Sequence, residues 1–169
     1  HKFVNDAIAR GAALIVVQDA KFIKNKNKIP TILVSDSRLH FERMCSLFFG
    51  RKDERLFNVG VTGTNGKTST TYLIEYLLQS HGIKTGVIGT VNHRVGDKIW
   101  PTSHTTPDPW TVHKRFADFY KVGARASAVE VTSHGLDQKR MRSVNFDVGI
   151  FTNLTQDHLD YHGTMSNYF

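Results

Sequence analysis

The chain has 169 residues, of which 40% are hydrophobic and 22% are charged. This apolar content is enough for a core and excludes disorder as the main state. The longest apolar runs, at residues 12–17 and 148–151, are far shorter than the ~20 residues of a transmembrane helix, so we expect no membrane insertion. Cys45 is the single cysteine, which excludes a disulfide scaffold and fits a reducing compartment.

The formal net charge of +7 comes from 22 basic and 15 acidic residues. Much of the excess lies in Lys21, Lys24, Lys26 and Lys28. Because no aromatic residues alternate with these lysines, we predict a solvated loop and no nucleic-acid partner. A positive charge also suits a protein that handles phosphate anions.

The first part of the chain predicts a small α/β unit. Its predicted elements are a helix from Phe3 that ends at Gly11, strands over residues 14–17 and 31–34, and a helix from Ser37 that ends at Gly50. Ser37 is the expected N-cap of the second helix. Residues 51–55 are charged and lack an apolar period, so we place a domain boundary there.

From residue 56 onward, strands alternate with helices. The predicted strands cover residues 58–62, 85–89, 126–131 and 146–152, and the predicted helices cover residues 67–81, with Leu73, Ile74, Leu77 and Leu78 on one face, and residues 109–122. Residues 90–107 are polar, with a turn signal at Gly96 and Asp97, and predict a loop. The alternation predicts an α/β fold with a doubly wound, mostly parallel sheet.

The strongest motif joins the first of these strands to its helix. It reads Gly63, Thr64, Asn65, Gly66, Lys67, Thr68, Ser69. Glycines allow backbone N–H groups to surround a phosphate, and the helix N-terminus adds positive potential. Lys67 is expected to reach the β- and γ-phosphates and Thr68 to hold Mg²⁺. Val61 stands where the strict P-loop pattern has its first glycine, and the alternative is a plain glycine-rich turn.

The motif resembles the ATP loop of the Mur ligases and the folylpolyglutamate synthetases. Three further segments, HTTPDP at 104–109, EVTSHGL at 130–136 and FTNLTQDHLDYHGTM at 151–165, resemble in order and spacing the UDP-N-acetylmuramoyl-tripeptide synthetases of the Mur ligase family. The resemblance implies that residues 1–55 are the C-terminal part of a UDP-binding N-terminal domain. Residues 56–169 would then be the first part of an ATP-binding central domain with the P-loop.

The resemblance also implies a reaction. ATP, with Mg²⁺, would phosphorylate the D-glutamate carboxylate of UDP-MurNAc-L-Ala-D-Glu, and the amine of a diamino acid would attack the acyl phosphate. We expect meso-diaminopimelate rather than L-lysine, as the commoner case in the family. We further expect a cytoplasmic, monomeric enzyme of which this chain is a piece, inactive by itself.

The family's metal and catalytic residues match positions in this sequence. Thr68, Glu130 and His158 would hold Mg²⁺, and Lys67 and His158 would be catalytic. For Glu130 the alternative is a solvent-facing carboxylate at a strand end. The four-residue spacing of His158 and His162 by itself suggests a zinc pair, but there is no HExxH motif and no cysteine partner.

The family's contacts to the sugar-peptide substrate match five polar residues: Thr105, Thr106, Thr132, Gln138 and Arg140. A guanidinium can bind a carboxylate through two N–H groups. The alternative for residues 138–140 is an exposed helix face. His104 stands where the family often has asparagine, which leaves the contact at that position open.

Two other functions share part of this motif pattern. A folylpolyglutamate synthetase shares the loop but not the Thr-Thr-Pro segment or the segment at 157–163. A GTPase-like P-loop module needs an Asn-Lys-x-Asp sequence for guanine, and residues 153–157 lack the lysine and the spacing.

Overall fold

A computed structural model describes residues 3–23 and 29–169. The chain forms two compact units, His1–Phe41 and Glu42–Phe169. Of the predicted lysine-rich loop, Lys21 lies in a 3-10 helix (Ala20–Ile23) rather than in a loop, and residues 24–28 lie outside the described residues.

The first unit contains a short two-stranded sheet. Its elements are α1 (Val4–Ala9), β1 (Ile15–Val17), a 3-10 helix (Ala20–Ile23), β2 (Thr31–Leu33) and the start of α2 (Ser37–Phe48). β1 and β2 pair in parallel, and both predicted strands are confirmed. The α2 cap differs from the prediction, because the Asp36 carboxylate accepts from the N–H groups of Arg38 and Leu39. Ser37 instead donates to the Gln18 amide oxygen.

The charged segment at residues 51–55 is not a linker. It forms a 3-10 helix, Lys52–Arg55, and Asp53 is only 1% exposed. The Asp53 carboxylate accepts from the N–H of Asn145, and its carbonyl accepts from the Asn58 amide. The segment therefore packs within the second unit. The assignment of residues 1–55 and 56–169 to two family domains stays a prediction.

The second unit is built on a six-stranded sheet. Its elements are β3 (Phe57–Thr62), α3 (Lys67–Ser80), β4 (Thr85–Ile88), β5 (His93–Val95), β6 (Lys98–Trp100), α4 (Pro109–Lys121), β7 (Ala126–Glu130), α5 (Ser133–Asp137), β8 (Val148–Phe151), α6 (Leu159–His162) and α7 (Met165–Tyr168). The strand order is β6-β5-β4-β7-β3-β8. β4, β7, β3 and β8 are parallel, which confirms the predicted α/β fold.

Helices cover both faces of this sheet. On one face, Ile88 and Val129 pack with Phe116 and Phe119 of α4. Gly86 allows this approach, because a Cβ there would lie 2.2 Å from the Phe119 ring. Alternate residues of the strands point to the other face, where α3 lies against β3, β4 and β7.

The predicted apolar face of α3 is only partly covered. Thr71 is its buried residue, and Ile74 and Leu78 are half-buried. Leu73 and Leu77 are 62% and 56% exposed. Periodicity alone therefore identified the helix but not the side on which it packs.

The predicted polar loop at residues 90–107 contains an antiparallel hairpin. β5 and β6 pair around a turn at Gly96 and Asp97, with Gly96 at a φ of +54°. His93 and Val95 are buried while Arg94 between them is not fully so. This period-two pattern is too short to stand out among polar neighbours, so the sequence analysis missed the strands.

The short apolar runs of the sequence predict no membrane insertion. Within residues 3–23 and 29–169, no helix has both the length and the apolarity to cross a bilayer.

His93 is an unusual member of the core. It is 1% exposed, and neither ring nitrogen has a hydrogen-bond partner among the described residues. Burial, helped by the nearby Arg115 charge, lowers the pKa of His93 from 6.5 to about 4. The folded protein therefore keeps this imidazole neutral at pH values where the unfolded chain binds a proton.

We predict that His93 makes stability fall as the pH drops from about 6.5 toward 4. Because the unfolded state then binds the extra proton, wild type should lose about 2 kcal/mol more free energy of unfolding between pH 7 and pH 5 than a His93→Leu variant. Urea unfolding of both proteins at the two pH values measures this difference. Equal losses in both proteins would contradict the assignment.

Candidate active site

A cleft of about 590 Å³ opens at the carboxyl edge of β3, β4 and β7. In open parallel sheets this edge is where ligands bind. The predicted site residues that line it are Thr64, Asn65, Gly66, Lys67, Thr68, Ser69, Thr105, Thr106, Glu130, Thr132, Arg140 and His158. The structure thus brings most of the predicted residues together in one place.

The loop between β3 and α3 requires its glycines. Gly66 is the N-cap of α3 with a φ of +86°, and Gly63 has a φ of +124°. A Cβ on Gly63 would lie 2.2 Å from the Thr152 hydroxyl and 2.8 Å from the Asn153 carbonyl oxygen. Gly63 does not line the cleft itself. It lets the loop lie against the segment that follows β8.

That segment holds the loop through hydrogen bonds that sequence reasoning missed. The Asn65 N–H donates to the Asn153 side-chain oxygen, and the Asn153 amide donates back to the Asn65 carbonyl, both at 3.0 Å. The Thr155 N–H donates to the Thr64 hydroxyl at 3.0 Å. Asn153 and Thr155 both follow the end of β8. Their position after a strand, at the edge where ligands bind, is the sequence feature that could have identified them.

Lys67 is folded onto its own loop. Its Nζ donates to the carbonyls of Gly63 and Thr64 at 2.7 and 2.9 Å. Burial lowers the pKa of Lys67, while the charges of Glu130 and Asp157 favour its protonated form. The ammonium thus lies at the helix N-terminus, where an anion would be stabilised.

Glu130 is the buried acidic group of the cleft, with 1% exposure. Its carboxylate accepts from the Thr68 hydroxyl at 3.0 Å, and from the Thr90 hydroxyl and N–H at 2.8 and 3.1 Å. A solvent-facing Glu130 is therefore excluded. Thr90 was not predicted, although it follows β4 at the same edge of the sheet.

The Thr68–Glu130 pair fits a hard cation. Hydroxyl and carboxylate oxygens are the ligands that Mg²⁺ prefers, and in the described residues Glu130 forms no ion pair that would neutralise its charge. His158 lines the same cleft, and its part in a metal site stays a prediction. Within the described ranges, no group of three or more His, Cys, Asp or Glu side chains is arranged to hold a metal ion.

Three of the predicted substrate residues, Thr105, Thr106 and Thr132, are held in place by hydrogen bonds around Glu130. Thr106 is 1% exposed, and its hydroxyl donates to the Glu130 carbonyl while accepting from the Thr132 N–H and hydroxyl. These bonds use the full capacity of a hydroxyl. The Thr105 hydroxyl contacts that of Thr90 at 3.0 Å. Hydrogen bonds between hydroxyl groups thus fix the positions of these threonine side chains at the carboxyl edge of the sheet.

Arg140 and Gln138 were both predicted to contact the substrate, but they differ in their position relative to the cleft. The Arg140 guanidinium lines the cleft, whereas Gln138 does not. Residues 138–140 form the turn after α5 rather than a helix face. His104 also lines the cleft, and its Nδ1 contacts the Ser103 hydroxyl at 2.9 Å.

Residues 61–169 match the Mur ligase middle domain, which is more than half of the chain. The chain belongs to the Mur ligase family. It is 46% identical over its whole length to the UDP-N-acetylmuramoyl-L-alanyl-D-glutamate–2,6-diaminopimelate ligase of Aquifex aeolicus. It covers 34% of that protein, so this Mur ligase chain spans about a third of such a relative.

Solved structures share the fold of this chain. A UDP-N-acetylmuramoyl-L-alanyl-D-glutamate–2,6-diaminopimelate ligase matches 99% of this chain and 33% of its own, with a TM-score of 0.80 and 30% identity. A folylpolyglutamate synthase of Mycobacterium tuberculosis complexed with ADP and AMPPCP has a TM-score of 0.63 at 17% identity, over 77% of this chain and 36% of its own. The second likeness shows a shared fold alone.

We predict that the Thr90 hydroxyl stabilises this Mur ligase domain mainly through its hydrogen bond to the Glu130 carboxylate. Thr90→Val should lower the free energy of unfolding by about 1.5–3 kcal/mol, the usual contribution of a hydrogen bond to a charged group. In a Glu130→Gln background the same change should cost clearly less. Urea unfolding of the four proteins measures the coupling. An identical cost in both backgrounds would contradict it.

Proposed function

We propose that the full-length protein is an ATP-dependent ligase of peptidoglycan precursor synthesis. It joins meso-diaminopimelate to the D-glutamate side chain of UDP-MurNAc-L-Ala-D-Glu. The name of the Aquifex aeolicus relative, at 46% identity, supports the substrates, and diaminopimelate in that name favours this amino acid over L-lysine. The activity belongs to the full-length protein, of which this chain supplies part of the site.

One observation carries the proposal. A single cleft is lined both by the glycine-rich loop between β3 and α3 and by Thr105, Thr132 and Arg140. The nucleotide phosphates and a carboxylate can therefore meet in it. A protein that only binds a nucleotide does not need Thr105, Thr132 and Arg140 in the same cleft.

The chemistry brings anions together. The substrate carboxylate oxygen attacks the γ-phosphorus of ATP and ADP leaves, giving an acyl phosphate. The amine nitrogen then attacks the acyl carbon, phosphate leaves, and the nitrogen gives up a proton as the amide forms. Such a site needs cations and hydrogen-bond donors that stabilise the transferring group, rather than an enzymic nucleophile.

The residues of this chain supply such groups. The Lys67 ammonium is placed to exchange its loop carbonyls for phosphate oxygens, and Arg140 is placed to bind a carboxylate of the peptide. Thr68 and Glu130, with His158, would hold a Mg²⁺ ion that neutralises charge on the β- and γ-phosphates. The ADP complex of the folylpolyglutamate synthase supports ATP as the nucleotide.

The folylpolyglutamate alternative has weaker support. It rests on a fold shared at 17% identity, whereas the proposed function rests on a relative at 46% identity. We also expect a cytoplasmic monomer without a nucleic-acid partner. The unpaired, buried Cys45 is compatible with a reducing compartment.

A direct assay tests the proposal. Full-length protein with ATP, Mg²⁺, UDP-MurNAc-L-Ala-D-Glu and diaminopimelate should give the tripeptide, followed by mass, and L-lysine should be a poorer substrate. Residues 1–169 alone should give no tripeptide, because the amine must be held in line with the acyl phosphate. Turnover with a folate instead would establish the alternative. Comparable turnover by residues 1–169 would overturn the need for the rest of the protein.

We predict that Lys67→Ala lowers kcat of the full-length enzyme by about 10²–10³-fold, as for loss of one preorganised electrostatic contact. The matched control is Lys98→Ala, since Lys98 is exposed on β6. Its kcat should stay at the wild-type value. If Lys67→Ala kept kcat within a few-fold of wild type, the loop would have no catalytic role.

A further inference from the structure

The turn after α5 brings Gln138 and Arg140 together. Lys139 is in the left-handed conformation with a φ of +57°. The N–H groups of Lys139 and Arg140 donate to the carbonyls of Leu136 and Gly135 at 2.9 and 2.8 Å. This is a Schellman motif with lysine where glycine is usual. A non-glycine residue in this conformation persists where its surroundings hold it.

The Arg140 guanidinium is held on two sides. Its Nε and Nη2 donate to the Gln138 amide oxygen at 3.1 and 2.6 Å, and its Nη1 donates to the Thr106 carbonyl at 2.6 Å. Within the described part of the chain these bonds occupy three of the five N–H groups of the side chain. One N–H remains on each terminal nitrogen. Two such groups are what a carboxylate accepts.

The Tyr161 hydroxyl favours the same orientation of the Gln138 amide as the Arg140 donors do. The Gln138 Nε2 donates to the Tyr161 hydroxyl at 3.2 Å, and that hydroxyl donates to the Asp137 carboxylate at 2.6 Å. If the amide were flipped, its NH₂ group would face the Arg140 donors. The Tyr161 hydroxyl would then have to leave Asp137 to donate to the amide oxygen.

The hydrogen bond from the Tyr161 hydroxyl to Asp137 also joins two parts of the fold. Tyr161 lies in α6, after β8, whereas Asp137 is the last residue of α5, after β7. The Tyr161 ring packs on the His134 ring with centroids 4.1 Å apart. Tyr161 is 41% exposed, so burial does not force its hydroxyl to find a partner. The hydrogen bonds therefore point to a role in orientation rather than in core stability.

We propose that Tyr161 is a positioning residue for substrate binding: held by Asp137, its hydroxyl orients Gln138 so that Arg140 presents two N–H groups to a carboxylate of the sugar-peptide. This inference rests on the proposed function. It adds a residue that is not among those lining the cleft but that determines how tightly the peptide carboxylate is bound.

The test is steady-state kinetics of full-length Tyr161→Phe, which keeps the ring and removes the hydroxyl. KM for UDP-MurNAc-L-Ala-D-Glu should rise about fivefold or more, as for loss of one hydrogen bond. KM for ATP and kcat should stay near wild type, because the P-loop is untouched. Tyr76→Phe is the control, since Tyr76 is 71% exposed on α3, and it should leave all three values unchanged.

A second variant tests the route through Arg140. In an Arg140→Lys background, where the paired N–H geometry is gone, adding Tyr161→Phe should change KM by less than about twofold. An unchanged KM for Tyr161→Phe, an equal rise in KM for ATP, or a full additional effect in the Arg140→Lys background would each overturn the inference. Tripeptide formation by wild type separates these outcomes from failure of the proposed function, and a wild type that makes none overturns both.

Discussion

The burial of one carboxylate organises the carboxyl edge of the sheet in this domain. Glu130 is 1% exposed, and an ionised group in that position is stable only if donors replace its water. The donors come from the residues that follow β3 and β4, the two strands that flank β7. Gly89 is needed as well, because a Cβ there would lie 2.3 Å from the carboxylate. The strand order thus brings three chain segments to one charged group.

The donors to Glu130 are neutral hydroxyl and amide groups, so its negative charge is retained. That charge favours the protonated form of Lys67, and in the proposed function the carboxylate is an oxygen ligand of Mg²⁺. Arg140 lines the same cleft and is held by Gln138 and Thr106. Two cationic residues, Lys67 and Arg140, therefore line one cleft, as the proposed reaction between a phosphate and a carboxylate requires.

Much of this arrangement was predictable from the sequence, because local patterns determine it. The P-loop was recognised from its glycines and the helix that follows, and Asp108 caps α4 as its position before Pro109 indicates. Contacts between residues far apart in the sequence were harder to predict. The Ser37 hydroxyl donates to Gln18, 19 residues away, instead of capping α2, and the hairpin at residues 93–100 is stabilised by Arg94, which pairs with Glu75 of α3. Thr90 and Asn153 act on partners distant in sequence, which no spacing rule reveals.

The central claim is that Thr68, Glu130 and Lys67 form one centre for nucleotide and metal. The most direct measurement is a crystal structure of the full-length protein with Mg²⁺ and a non-hydrolysable ATP analogue. The account predicts Mg²⁺ within about 2.0–2.1 Å of an oxygen of Thr68, Glu130 in its coordination sphere directly or through water, and Lys67 Nζ moved from the loop carbonyls to the phosphates. A nucleotide bound elsewhere, or a metal ion with no contact to Thr68 or Glu130, would contradict it.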